Sequence, residues 1–199
     1  MSYIPQTFQK IWKDPYLKFI ISFIGLYLIL DYFNVLYIGI TAKGGIYISF
    51  LDHHLNYIKW WRDFSIQSTA EILRWLGHTV YTNATQLKVI GKSGFTLVYS
   101  CLGYGIMSVF IAFCISFPSP FKHRYSFMFL GLIFIQAMNT GRFILLSLYW
   151  KKGYHFLGID HHNLFNIVIY TSLLIICYLW IRYSSKIKNA QNPTQKEFR

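Results

Sequence analysis

Residues 98–117 read VYSCLGYGIMSVFIAFCISF, twenty residues without a single charge. A helix of that length rises about 30 Å, which matches the hydrocarbon core of a bilayer. Three further stretches share the pattern, at 16–37, 125–150 and 163–182. The whole chain has the same character: of 199 residues, 54% are hydrophobic, 20% aromatic and only 13% charged. Soluble domains carry about 25% charged residues, so this chain lacks the polar groups needed to cover a surface facing water. Its apolar and aromatic content equally excludes a disordered chain. The length allows one domain, and the four apolar stretches predict an integral membrane protein.

The region between the first two stretches is more polar. Segments 46–61 and 64–80 are interrupted by Asp52, His53, His54, Lys59, Arg62, Glu71 and Arg74, and read as amphipathic helices at the interface or short helices dipping into it. In 86–99, Leu87 and Val89 alternate with polar residues, Gly91-Lys92-Ser93-Gly94 supplies a turn, and Phe95 and Leu97 alternate again. That pattern predicts a β-hairpin. The expected fold is an all-α integral membrane protein, a bundle of 4–6 transmembrane helices with an outer-face β-hairpin and interfacial amphipathic helices. One transmembrane domain covers 1–183, with a polar cytoplasmic tail at 184–199. The first apolar run is long and lacks a small-residue cleavage site, so it reads as a retained span rather than a signal peptide.

The net charge is +12, from 19 Lys+Arg against 7 Asp+Glu. Because the basic residues flank apolar runs, they point to membrane lipid headgroups rather than to nucleic acid. Lys10, Lys13 and Lys18 precede the first span, Lys122 and Arg124 sit between the second and third, and Arg182, Lys186, Lys188, Lys196 and Arg199 follow the fourth. Placing all three groups in the cytoplasm gives one consistent winding with both termini inside. Lys151 and Lys152 then fall outside, against the rule.

Ionisable and polar groups are costly in a bilayer core, so each needs a reason. In this winding Cys101 opens the second span, Asn139 and Arg142 lie late in the third, and His161 and His162 open the fourth, all at the outer face. Gly105 shares a helix face with Cys101, and with Gly103 it leaves room for a peptide backbone near the sulfur. Asn139 and Arg142 are spaced i, i+3, and His162 and Asn166 are spaced i, i+4. A thiolate is a nucleophile favoured by a neighbouring cation. Histidine can take and return a proton, and a guanidinium can hold an oxyanion. Blander readings exist beside this one. Arg142 could snorkel to headgroups, the paired histidines could decorate the interface, and Cys114 and Cys177 read as apolar filler. Asp31, inside the first span, reads as contacting water or the outer loop. The two Asp-His-His runs at 52–54 and 160–162 are the only hint of a metal. Adjacent residues diverge around a helix, so neither metal nor cofactor is expected.

At these residues the chain resembles the exosortase/archaeosortase family of membrane-embedded cysteine transpeptidases. The resemblance rests on Cys101-Leu102-Gly103, on Asn139-Thr140-Gly141-Arg142 and on His162-Asn163-Leu164-Phe165-Asn166, in that order, and covers about 86–183. Leu102 stands where the family often has a small residue, and the chain is compact for the family. The resemblance implies Cys101, Arg142 and His162 as catalytic residues, with His161 as the alternative histidine. Asn139, Asn166, Gly103 and Gly105 would support them. It further implies a bacterial inner-membrane enzyme that is multi-pass, with its site at the extracytoplasmic face. Its substrates would be exported proteins ending in a short motif, a transmembrane helix and a basic tail. Cleavage would pass through a Cys101 thioester, and the acyl group would move to an amine acceptor. The alternative function is a non-catalytic membrane component of an export or surface-assembly complex.

Overall fold

The computed structural model describes residues 14–42, 46–92, 94–118, 121–149 and 161–191. Lys10, Lys13, Ser93, Lys151, Lys152, Asp160, Lys196 and Arg199 lie outside the described residues, as do the side chains of Lys122 and Lys188.

Helix α1, Pro15–Thr41, starts where Asp14 Oδ1 accepts from the backbone N–H of Tyr16 at 2.9 Å and Pro15 takes the first helical position. It is 27 residues long, with a mean hydropathy of 1.9 in a stretch of which none is buried within the protein. Two helices follow, α2 at Ser49–His54 and α3 at Tyr57–Trp75. The break falls at Leu55-Asn56, not near 62–63 as the charges implied. Asn56 Oδ1 caps α3 by accepting from the Lys59 N–H at 2.8 Å, and Asn56 Nδ2 donates to Asp52 Oδ1 at 2.8 Å. Tyr47 Oη donates to Asp52 Oδ2 at 2.7 Å, and this bond, with that from Asn56, holds the Asp52 carboxyl below its usual range. Arg62 and Asp63 ride inside α3 because its buried face (Ile58, Ser65, Ile66, Thr69, Ala70 and Leu73) recurs at helical spacing without them.

Helix α3 ends at Trp75, five residues before the expected boundary, and Gly77 with φ +83° turns the chain away. The freed segment forms an additional strand. The sheet is β1 Val80–Thr82, β2 Gln86–Val89 and β3 Gly94–Thr96, antiparallel in that order, with Val80 opposite Val89 and Leu87 opposite Phe95. The expected hairpin is β2–β3, although Gly94 belongs to the strand rather than the turn. A Cβ there would lie 2.5 Å from the Leu87 carbonyl oxygen. Val80, Leu87 and Val89 are buried against Ala70 and Leu73, which seats the sheet on α3.

The stretch 98–117 is not one helix. Tyr99–Leu102 forms a 3-10 turn, Gly103 takes φ +81°, and α4 runs only from Tyr104 to Ser116, 13 residues. Helix α5 is Phe121–Tyr149, and α6 is His161–Gln191. Among the described residues three helices, not four, are therefore long and apolar enough to cross a membrane: Pro15–Thr41, His123–Tyr149 and Phe165–Lys186. The expected tail at 184–199 continues α6 as far as Gln191.

Helix α4 nevertheless reaches far down the molecule. It contributes about 20 Å, and the 3-10 turn, with its larger rise per residue, adds about 8 Å. It runs antiparallel to α1: Asn34 Nδ2 donates to Ser108 Oγ at 3.3 Å, and the rings of Phe19 and Phe117 are 6.1 Å apart near the start of α1. Two arginines of α5 hold the ends of this arm. Arg142 Nη2 donates to the Cys101 carbonyl at 2.9 Å, and Arg124 Nη1 donates to the Ile115 carbonyl at 3.2 Å. Between them lies a core of Ile106, Phe110, Cys114, Ile135, Ile169 and Leu173, in which Phe110 fills the space left by Gly131.

Candidate active site

The site is built on the 3-10 turn. Cys101 N donates to the Val98 carbonyl at 3.0 Å, so the cysteine sits in a tight corner just before α4. The corner depends on Gly103, whose left-handed backbone is costly for any residue with a Cβ. A Cβ on Gly103 would also overlap Asn139 Nδ2, so the missing side chain is where the asparagine amide packs. Helix α4 has no side-chain cap. Its first N–H groups and the positive end of its dipole thus lie just after the turn that carries Cys101.

Arg142 is 6% exposed and reaches across from α5. Besides the Cys101 carbonyl, its guanidinium pairs with the Cys101 side chain. Asn139, one helical turn earlier, is 2% exposed. Among the described residues, Arg142 Nε and Asn139 Nδ2 are buried donors with no hydrogen-bond partner. A buried donor without an acceptor costs about 1–3 kcal/mol, so each is an unmet demand beside the cysteine.

Cys101, Gly103, Gly105, Asn139, Arg142 and Asn166 line one cavity of about 120 Å3. The six come from three separate stretches of the chain, and the fold brings them together. His161 and His162 open α6, and their side chains lie outside the described residues. His162 stands one helical turn before Asn166 on the same helix. The other cysteines stay apart. Cys114 is buried in the core, and Cys177 packs against that same cluster.

Several residues at the site were not expected from the sequence. Ser100, Ile106, Ile169 and Tyr170 also line the cavity. Tyr170 follows Asn166 by four residues, so the helical stripe that carries His162 and Asn166 contained the signal. Trp61 Nε1 donates to the Leu102 carbonyl at 3.4 Å, and the Arg62 guanidinium lies 5.5 Å over the Tyr99 ring. Helix α3, read as interfacial, thus braces the turn that carries Cys101. Trp61 also joins Phe64 and Leu132 in lining two apolar grooves of about 610 and 580 Å3. Compared with protein-family models, curated proteins and solved structures, the chain matches none.

Proposed function

We propose that this protein is a membrane-embedded cysteine transpeptidase of the exosortase/archaeosortase kind. It would cleave exported proteins near a C-terminal transmembrane helix and pass them to an amine acceptor. The observation that carries the reading is that Arg142 and Asn139, each with a buried donor that has no partner among the described residues, line one cavity with Cys101. A carbonyl oxygen drawn in between those two side chains would satisfy both donors, which would hold the charge that develops on it during attack. The cavity's size suits a peptide group and little more, while the apolar grooves beside Trp61 suit the rest of a membrane-embedded substrate.

In this reading the Cys101 thiolate attacks the scissile carbonyl carbon. The carbon–nitrogen bond breaks, and the departing amine takes a proton that His162 received from the thiol. The acyl group stays on Cys101 as a thioester until an acceptor amine displaces it. Arg142 holds the turn through the Cys101 carbonyl and offers its other donor to the oxyanion. The chain lies in the bacterial inner membrane with both termini cytoplasmic. In that arrangement α4 serves as a fourth, short crossing, supported by its return to the level of Phe19, and Cys101 faces outward.

Thiol reactivity tests the proposal directly. Under native conditions a small alkylating reagent should modify Cys101 at least about tenfold faster than Cys114 or Cys177, because only Cys101 combines access with a neighbouring cation. Equal rates for all three would overturn the reading.

A further inference from the structure

Asp31 is the only acidic residue in any of the three helices able to cross a membrane, and α4 has none. It is partly buried, and among the described residues its carboxylate makes no hydrogen bond or ion pair. An ionisable group in such a helix needs a partner or a task. Its surroundings indicate which. A Cβ built on Gly105 would meet a single heavy atom within 4 Å beyond its own helix backbone, Asp31 Oδ1 at 3.9 Å. Gly105 also lines the cavity of Cys101 and Arg142. Gly105 therefore stands between the carboxylate and the thiol's cavity with no side chain of its own in the way.

We propose that Asp31 is the docking site for the ammonium group of the acyl acceptor and takes the first proton from it. The inference rests on the transpeptidase reading and adds the residue that would receive the second substrate. A primary amine arrives protonated, since its pKa lies near 10. The guanidinium of Arg142 repels it from the thioester, so an opposing charge is required to bring it in. Asp31 supplies that charge and accepts one proton, becoming the neutral acid. The amine nitrogen then bonds to the thioester carbonyl carbon as the carbon–sulfur bond breaks. The sulfur leaves with the electron pair and takes the second proton lost by the nitrogen, restoring the Cys101 thiol. Asp31 afterwards releases its proton to water. A lone carboxylate gives too few ligands to hold a metal ion, whereas one carboxylate suffices for one ammonium.

The test separates this inference from the reading beneath it. The full-length protein, in phosphatidylcholine vesicles, is treated with 4-nitrophenyl acetate, and acetyl on Cys101 is followed by mass spectrometry. One arm then adds ethanolamine to the water, and the other places phosphatidylethanolamine in the bilayer. Asp31→Asn should acetylate at Cys101 within about twofold of the wild type, which also establishes that it is folded. It should lose amine-dependent deacylation at least about tenfold in whichever arm the wild type uses, and Asp31→Glu should recover most of it. Faster turnover in the lipid arm identifies a headgroup acceptor, and faster turnover with free ethanolamine a soluble one. If Cys101 acetylates normally but Asp31→Asn turns over with amines like the wild type, or Asp31→Glu is as slow as Asp31→Asn, the assignment to Asp31 is overturned and the transpeptidase reading stands. If wild-type Cys101 does not acetylate at all, both fall.

Discussion

Arg142 combines tasks that a lysine could not. Its Nη2 is committed to the Cys101 carbonyl at 2.9 Å, and its Nε remains a separate buried donor with no partner among the described residues. A planar guanidinium presents both in a fixed geometry, whereas an ammonium is a single compact charge on a flexible stem. Loss of one oxyanion donor costs acyl-transfer enzymes on the order of 10²–10³ in rate. Arg142→Lys should therefore insert and fold yet process its substrate at least about tenfold more slowly, as measured by accumulation of uncleaved precursor. Arg182→Lys, where the guanidinium is exposed and only 5.9 Å over the Tyr178 ring, should leave processing unchanged. Near-normal processing by the Arg142→Lys protein would return Arg142 to a purely structural role. The cavity was legible from chain order, since successive segments that reverse direction bring Cys101, Asn139, Arg142 and Asn166 to the same end. Asp31 was not legible in the same way. Helix α1 is apolar all round, so no stripe in its sequence tells which residues face α4; that follows only from contacts such as Asn34 to Ser108.

Among the elements, the join between the 3-10 turn and α4 is the most constrained. Gly103 carries φ +81° and makes room for the Asn139 amide at the same time. An alanine there faces about 1–2 kcal/mol from the left-handed backbone, together with the displacement of Asn139. Gly103→Ala should lower stability by at least about 1 kcal/mol and slow alkylation of Cys101. Asn139→Ala relieves the overlap but not the backbone strain. The double substitution should accordingly cost less than the two singles added together, a coupling expected of residues in contact. Thermal unfolding of the four proteins in detergent measures it, and strict additivity would show that the two positions do not interact. This join also explains why 98–117 reads as a plain span. Composition registers twenty uncharged residues, but a positive φ at one glycine leaves no trace in hydropathy. The sheet was half legible for a related reason. Alternation marked β2 and β3, while β1 follows a polar stretch whose helical character ends at Gly77.

For the whole molecule, the proposed winding places the sheet outside and the far end of α6 inside. Single cysteines in a background lacking Cys101, Cys114 and Cys177 report this through a membrane-impermeant thiol reagent. Ala84→Cys, exposed in the β1–β2 turn, should label in intact cells. Ser185→Cys, exposed near the end of α6, should label only after permeabilisation. Labelling of both from the same side would refute the arrangement. The two arginines that hold the α4 arm then set a dimension. Arg124 and Arg142 are 18 residues apart on one helix, which corresponds to about 27 Å, close to the roughly 30 Å of a bilayer's hydrocarbon core. Each is tethered to a backbone carbonyl at one end of the arm, so in the proposed winding the pair would act as a fixed gauge of thickness. Lipids with longer tails would have to compress, or else pull one guanidinium off its carbonyl, and one of those carbonyls belongs to Cys101. In the proposed winding, acyl-chain length would thereby be a mechanical input to the site.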